Sequence, residues 1–194
     1  LYNHNIVDSN MPIVWMVRDA HEADISVYPM IQPYYHQEGR RFQTVEHATP
    51  SMMRGAAANY WDMGVDGMYT WFLPWPLGDA ERRILSELGD PDLLAESTKH
   101  YALNERSDAV ENLGLRFYLP LSIPNADPDK RYAVPFRIAD DVDGASDRVR
   151  QIVLKMDVTN LLSADKLTIL LNGQALENEV CRRDYERHIE PYKG

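Results

Sequence analysis

ATPSMMRGAAANYWDMGVDGMYTWFLPW, residues 48–75, reads as a capped helix feeding a buried strand. Thr49 supplies an N-cap oxygen, Pro50 suits the first helical position where a missing N–H costs nothing, and Gly64 offers a left-handed stop. A helix is therefore expected over 50–63. Met53, Ala57, Tyr60 and Trp61 recur at the i, i+3, i+4 spacing of one buried face, while Gly55 and Ala56 let another backbone come close. That pattern suits an outer helix lying on a sheet. After the Asp66-Gly67 turn, residues 68–73 are almost wholly apolar or aromatic, as in a parallel strand covered on both faces. The strand runs out among Trp71, Trp75 and prolines.

The flanking sequence repeats this grammar. A helix is expected over 11–23 with Ile13, Val14, Val17 and Ala20 on one side, leading through Asp24 into ISVYPMI at 25–31, a second buried strand. Pro29 is ill-suited to a strand interior. A long polar and aromatic loop is expected over 32–49. Asp79 then caps a helix through Leu88, with Ile84, Leu85 and Leu88 inward and Gly89 closing it, and Asp90-Pro91 starts a short one through Glu96. Helix and strand in alternation demand a parallel sheet, and two units are too few to bury one alone. From Asn112 the pattern changes to strand-like segments at 113–121 and 131–138, an acidic loop at 139–147 and an alternating strand at 151–158. Residues 167–171 form another strand, and Asn172-Gly173 fits a type I′ hairpin turn. The expected fold class is α/β plus all-β: an α/β part over 1–100, a linker over 101–111 and an antiparallel β-sandwich module over 112–194.

Composition narrows the functional classes. The 194 residues are 44% hydrophobic, enough for a real core, and the formal net charge of −10 argues against a nucleic-acid partner, which needs clustered Lys and Arg. No apolar run approaches the roughly 20 residues of a spanning helix. The single cysteine, Cys181, excludes an internal disulfide framework. Walker glycine loops, His-Glu-x-x-His and Asn-x-Ser/Thr sequons are absent.

Residues 54–71, RGAAANYWDMGVDGMYTW, followed by ILSELGDP at 84–91, resemble the end of the catalytic TIM barrel in bacterial glycoside-hydrolase-like proteins, several of which carry a β-sandwich after the barrel. LTILLNG at 167–173 resembles the strand and turn of galactose-binding-like or jelly-roll modules. The resemblance implies that 1–100 is the C-terminal portion of a (β/α)8 barrel, which takes about 250 residues when complete. Strands one to six would lie upstream of Leu1, and this part would pack against them or against another chain. It further implies a glycoside hydrolase acting on a poly- or oligosaccharide, with no cofactor, in a secreted or periplasmic setting. The alternative is a non-catalytic carbohydrate-binding or structural protein. Carboxylates at the ends of the fourth and sixth strands would distinguish the two.

Barrel active sites lie at the carboxyl ends of the strands, which here selects Gln32, Tyr34, Tyr35, His36, Thr70, Trp71 and Trp75. Aromatic plates match the C–H faces of sugar rings, and amide, hydroxyl and imidazole groups match their hydroxyl rim. The plainer alternative is that Trp71 fills the barrel and that Tyr34, Tyr35 and His36 are ordinary loop residues. Glycoside hydrolysis also needs two carboxyl groups, about 5 to 5.5 Å apart for retention or 6.5 to 9.5 Å for inversion. One candidate is present: Glu46, with His47 beside it to tune its proton affinity and line the substrate site. A solvated charge near a helix N-terminus explains Glu46 as simply. Barrel hydrolases that place a glutamate at the end of strand seven would have it where Gln32 stands, so the acid/base carboxylates are expected upstream. No metal site is expected. Asp19, His21, Glu22 and Asp24 do not converge on a helix, and the acidic loops containing Asp127, Asp129, Asp140, Asp141, Asp143 and Asp147 fit no EF-hand spacing.

Overall fold

The computed structural model describes residues 7–32, 34–36, 45–70, 76–103, 118–119, 121–123, 130–144, 147–158, 161 and 165–182. Its chain divides into two compact units, Leu1–Ile152 and Val153–Gly194. The division falls later than the expected linker at 101–111, of which 104–111 lie outside the described residues. The first unit runs α1 (Val14–Glu22), β1 (Met30–Ile31), β2 (Tyr34–His36), β3 (Val45–His47), α2 (Pro50–Asp62), β4 (Tyr69–Thr70), α3 (Asp79–Leu88) and α4 (Pro91–Ala95). The second contains β5 (Leu170–Leu171), β6 (Gln174–Ala175) and a 3₁₀ turn at Asn178–Val180.

Side-chain caps start α2 and α4, whereas α1 and α3 have none: α3 begins after Gly78, with Asp79 as its first residue and not its cap. The Thr49 hydroxyl accepts from the Met52 N–H, and Pro50 occupies the first helical position of α2. At the other end Gly64 adopts φ +86°, its N–H donates to the Trp61 carbonyl, and the Val65 N–H reaches the Tyr60 carbonyl. This is a Schellman closure. Helix α1 closes in the same way with Asp24, at φ 56°, in the position usually held by glycine: the Asp24 and Ile25 N–H groups donate to the His21 and Ala20 carbonyls. Asp90 caps α4 by accepting from the Asp92 and Leu93 N–H groups.

Burial of α2 runs round the helix instead of along one face. Met52, Met53 and every residue from Gly55 to Tyr60 are buried, so α2 is the centre of its unit and not an outer helix. The cause is the small side chains of GAAA, which let chain segments approach from several sides. Helices α3 and α4 pack on it, Trp61 Nε1 donates to the Leu88 carbonyl, and Arg54 pairs with Glu87 at 2.8 Å. Ile13, Val17, Ile31, Ile84, Leu88 and Leu94 complete the core. Val14 and Leu85, expected inward, are exposed, and each borders a surface cavity.

The extended segment 131–139 docks on this unit through side chains in place of a sheet. Asn10 Nδ2 donates to the Pro135 carbonyl at 3.0 Å while its Oδ1 accepts from the Arg137 N–H at 3.1 Å, imitating a peptide partner. Asn59 Nδ2 donates to the Arg137 carbonyl and the Arg137 guanidinium pairs with Asp62. Further along, Asp140 accepts from Lys99 Nζ at 2.7 Å and from the Tyr101 hydroxyl at 2.9 Å. Backbone groups already held this way are not free for a ladder, which is why no strand forms here.

Three two-stranded sheets are present among the described residues, two in the first unit and one in the second, and none of them is closed into a barrel. Residues 151–158, expected to alternate between core and water, are exposed throughout, Ile152 at 66% and Val153 at 71%. In the second unit the Asn172-Gly173 hairpin forms as expected. Both turn residues take positive φ, 50° and 85°, as a type I′ turn requires, and Leu170 pairs with Ala175.

Candidate functional site

Strands β1 and β4 pair in parallel, Met30 with Tyr69 and Ile31 with Thr70, and α2 lies between them in the chain. The pairing continues backwards without a ladder: Asp66 N–H donates to the Val27 carbonyl while Asp66 Oδ2 accepts from the Val27 N–H at 2.7 Å. Parallel pairing brings both carboxyl ends to the same edge. Gln32 follows β1 there, and Thr70 ends β4. Gln32 is only 6% exposed, and its Oε1 has no hydrogen-bond partner. Thr70 is half-buried and borders a cleft of about 100 Å³ lined by Met68, Tyr69, Leu85 and Leu88.

The segment after Gln32, expected to be loop, contains an antiparallel ribbon of β2 and β3. Tyr34 opposes His47, Tyr35 opposes Glu46 and His36 opposes Val45. No Asn-Gly or Asp-Gly dipeptide announces this ribbon, so sequence patterns missed it. Successive side chains of a strand face opposite sides, and here that alternation separates the two tyrosines. Tyr34 stacks on His47 with ring centroids 4.9 Å apart and planes at 43°, whereas Tyr35 packs against the hydrophobic core. Of the expected binding residues, Tyr34 and His47 are thus brought together, Gln32 stands just before them, and Tyr35 serves the core. Trp71 and Trp75, and the side chains of His36 and Glu46, lie outside what the structure describes.

No family model, curated protein or solved structure matches this chain. Among the described residues no helix is long and apolar enough to cross a membrane, and no group of three or more His, Cys, Asp or Glu side chains is arranged to hold a metal ion. The acidic candidates are engaged elsewhere: Asp19 with Arg18, His21 with Asp66, and Asp140 with Lys99 and Tyr101. The hydrogen bond from His21, followed by that from the Val27 N–H, lowers the Asp66 pKa below the usual carboxylate value. Burial, reinforced by the Asp140 carboxylate, pushes the Tyr101 hydroxyl well above its ordinary range.

A larger groove of about 300 Å³ lies elsewhere, between residues 8–14, Met63 and 135–137. Its amide and guanidinium groups, Asn10 and Arg137, are already committed to the 135–137 backbone and to Asp62. Chemistry therefore favours the strand ends. Sequence reasoning also passed over Asn59, which is fully buried and donates to the Ser9 carbonyl at 2.6 Å. Its signal was a lone amide inside an otherwise apolar helical run.

Proposed function

We propose that this chain is part of a carbohydrate-active protein, a glycoside hydrolase acting on a poly- or oligosaccharide. In this reading residues 1–100 supply the closing portion of a (β/α)8 barrel and 112–194 a β-sandwich module. The supporting observation is the parallel β1–β4 pair with α2 between its strands, the repeating unit of such a barrel, which sets Gln32 and Thr70 at one edge. The Tyr34–His47 pair beside that edge offers an apolar ring face and an imidazole, the two surfaces a sugar requires. The sequence adds Trp71, Trp75 and His36 as sugar-binding residues and Glu46 as a carboxyl group of the reaction. The partner carboxylate comes from barrel strands upstream.

Calorimetric titration with neutral hexasaccharides tests this. Tyr34→Ala and Trp75→Ala should each weaken binding by about 1 to 3 kcal/mol, the size of a desolvated aromatic contact. Equal affinity for the wild type and both variants would sink the proposal. In a protein that includes the upstream strands, Glu46→Gln should retain the sugar and lose hydrolysis. Binding without hydrolysis in the parent would instead make the protein a non-catalytic carbohydrate binder.

A further inference from the structure

Residues 151–158 carry the period-2 alternation of a half-buried strand, yet all eight are exposed and belong to none of the sheets among the described residues. Leu154, Met156 and Val158, which fall on one face of such a strand, are 46%, 46% and 47% exposed. Lys155 and Asp157 fall on the other. An exposed strand-forming segment with one apolar face is a template for a further strand, and residues 154–158 lie wholly within the second unit. The charges say which strand fits. In an antiparallel pair, residues directly opposite share a face, so a second copy turned about a two-fold axis meets this segment in a register fixed by the residue on the axis. With Met156 on the axis, Lys155 of each copy stands opposite Asp157 of the other, Leu154 stands opposite Val158, and the two Met156 side chains meet. Moving the axis to Lys155 or to Asp157 sets that charge against its own kind, and a parallel in-register pair does both. With the axis at Leu154, Lys155 faces Val153 and Asp157 faces Gln151. Within 151–158, only the register centred on Met156 matches both charges with their opposites.

We propose that residues 154–158 form the interface of a homodimer: the segments of two copies pair as antiparallel strands about a two-fold axis at Met156, with Lys155 of one copy against Asp157 of the other and Leu154, Met156 and Val158 of both making one apolar stripe. The axis repeats every contact, so the dimer holds two Lys–Asp cross-strand pairs and any substitution acts twice. Each chain's formal net charge of −10 resists the approach of a second copy, which makes a locally matched surface necessary for association. Dimerisation of this kind does not depend on the carbohydrate reading.

Sedimentation equilibrium of the 194-residue chain tests this, with Lys155→Glu, Asp157→Lys and the double exchange of both. All substituted positions are exposed, so the variants should fold as the wild type does. The wild type should dimerise. Each single reversal sets two like-charge pairs across the axis and should raise the dimer dissociation constant by about tenfold, whereas the double exchange restores both pairs and should dimerise as the wild type does. The two single reversals move the net charge in opposite directions, so a loss in both cannot come from overall repulsion. A monomeric wild type overturns the proposal and leaves the apolar face to a different protein. A dimer that tolerates both single reversals has its interface elsewhere, and a double exchange as weak as the single ones refutes the register; either result also overturns the proposal.

Discussion

Adding one methyl group at Gly55 probes how residues 98–102 are seated on α2. A Cβ there would lie 2.4 Å from the His100 carbonyl oxygen and 2.8 Å from its carbon, whereas ordinary contact begins at 3.4 Å. The obstacle is backbone, and it is pinned. His100 N–H donates to the Ser51 carbonyl at 2.8 Å, and Ser9 N–H donates to the Ala102 carbonyl at 2.8 Å. Relief requires moving a hydrogen-bonded segment by about 1 Å, which belongs at the upper end of the roughly 1 to 3 kcal/mol that overpacking costs. Alanine recovers about 1 kcal/mol of helix propensity over glycine. The expected outcome for Gly55→Ala is a net loss of about 1 to 2 kcal/mol, or a fall of about 2 to 8 °C in Tm for a chain of this size. Gly89→Ala is the control: its nearest neighbours would be 3.9 Å away and its φ is −82°, so the variant should melt at or above the wild type. Circular dichroism melts of the three proteins decide it. A Gly55→Ala protein as stable as Gly89→Ala would refute the close seating of this segment on the helix.

Asn59→Leu leaves the Ser9 and Arg137 carbonyls without their donor, and a loss of about 2 to 4 kcal/mol in urea unfolding is expected; a change below about 0.5 kcal/mol would contradict the role given to this amide. Asp66 has a folded pKa below its unfolded value, so its contribution is present above the unfolded value of 3.8 and is lost as pH falls through the lower folded one. Stability measured across that acid window should fall less steeply in Asp66→Asn than in the wild type, and identical acid limbs would show that the His21 and Val27 bonds do not persist in solution.

The helices were legible because their signals are local. Thr49, Pro50, Gly64 and Asp90 each dictate a boundary through a capping bond or a backbone angle within a few residues, and the structure places every one of them as read. The Asn172-Gly173 hairpin was legible for the same reason. Strands over 131–138 and 151–158 were not, because alternation states only that a segment can lie in a sheet. Whether it does depends on who holds its backbone, and at 135–137 that role belongs to Asn10 and Asn59, remote in sequence. At the candidate site, the roles of neighbouring side chains were not legible. Adjacent tyrosines look equivalent in sequence, and only the register of β2 on β3 assigns Tyr34 to the His47 ring and Tyr35 to the core.

The docking of residues 135–140 on the helical unit also constrains how the chain is made. Asn59, at the centre of α2, acquires its second acceptor only when Arg137 has been synthesised, and Lys99 obtains its counter-ion only with Asp140. Lys99 ends with a side chain 3% exposed, so the surrounding surface cannot close dry over it before then. At about 5 to 20 residues per second, several seconds of translation separate α2 from the segment that completes its hydrogen bonds. During that interval the nascent chain presents to water an Asn59 amide with one of its two acceptors and a Lys99 ammonium without its counter-ion. A ribosome pause that holds residues 135–140 inside the exit tunnel would thus prolong a wet intermediate, and one placed after they have emerged would not.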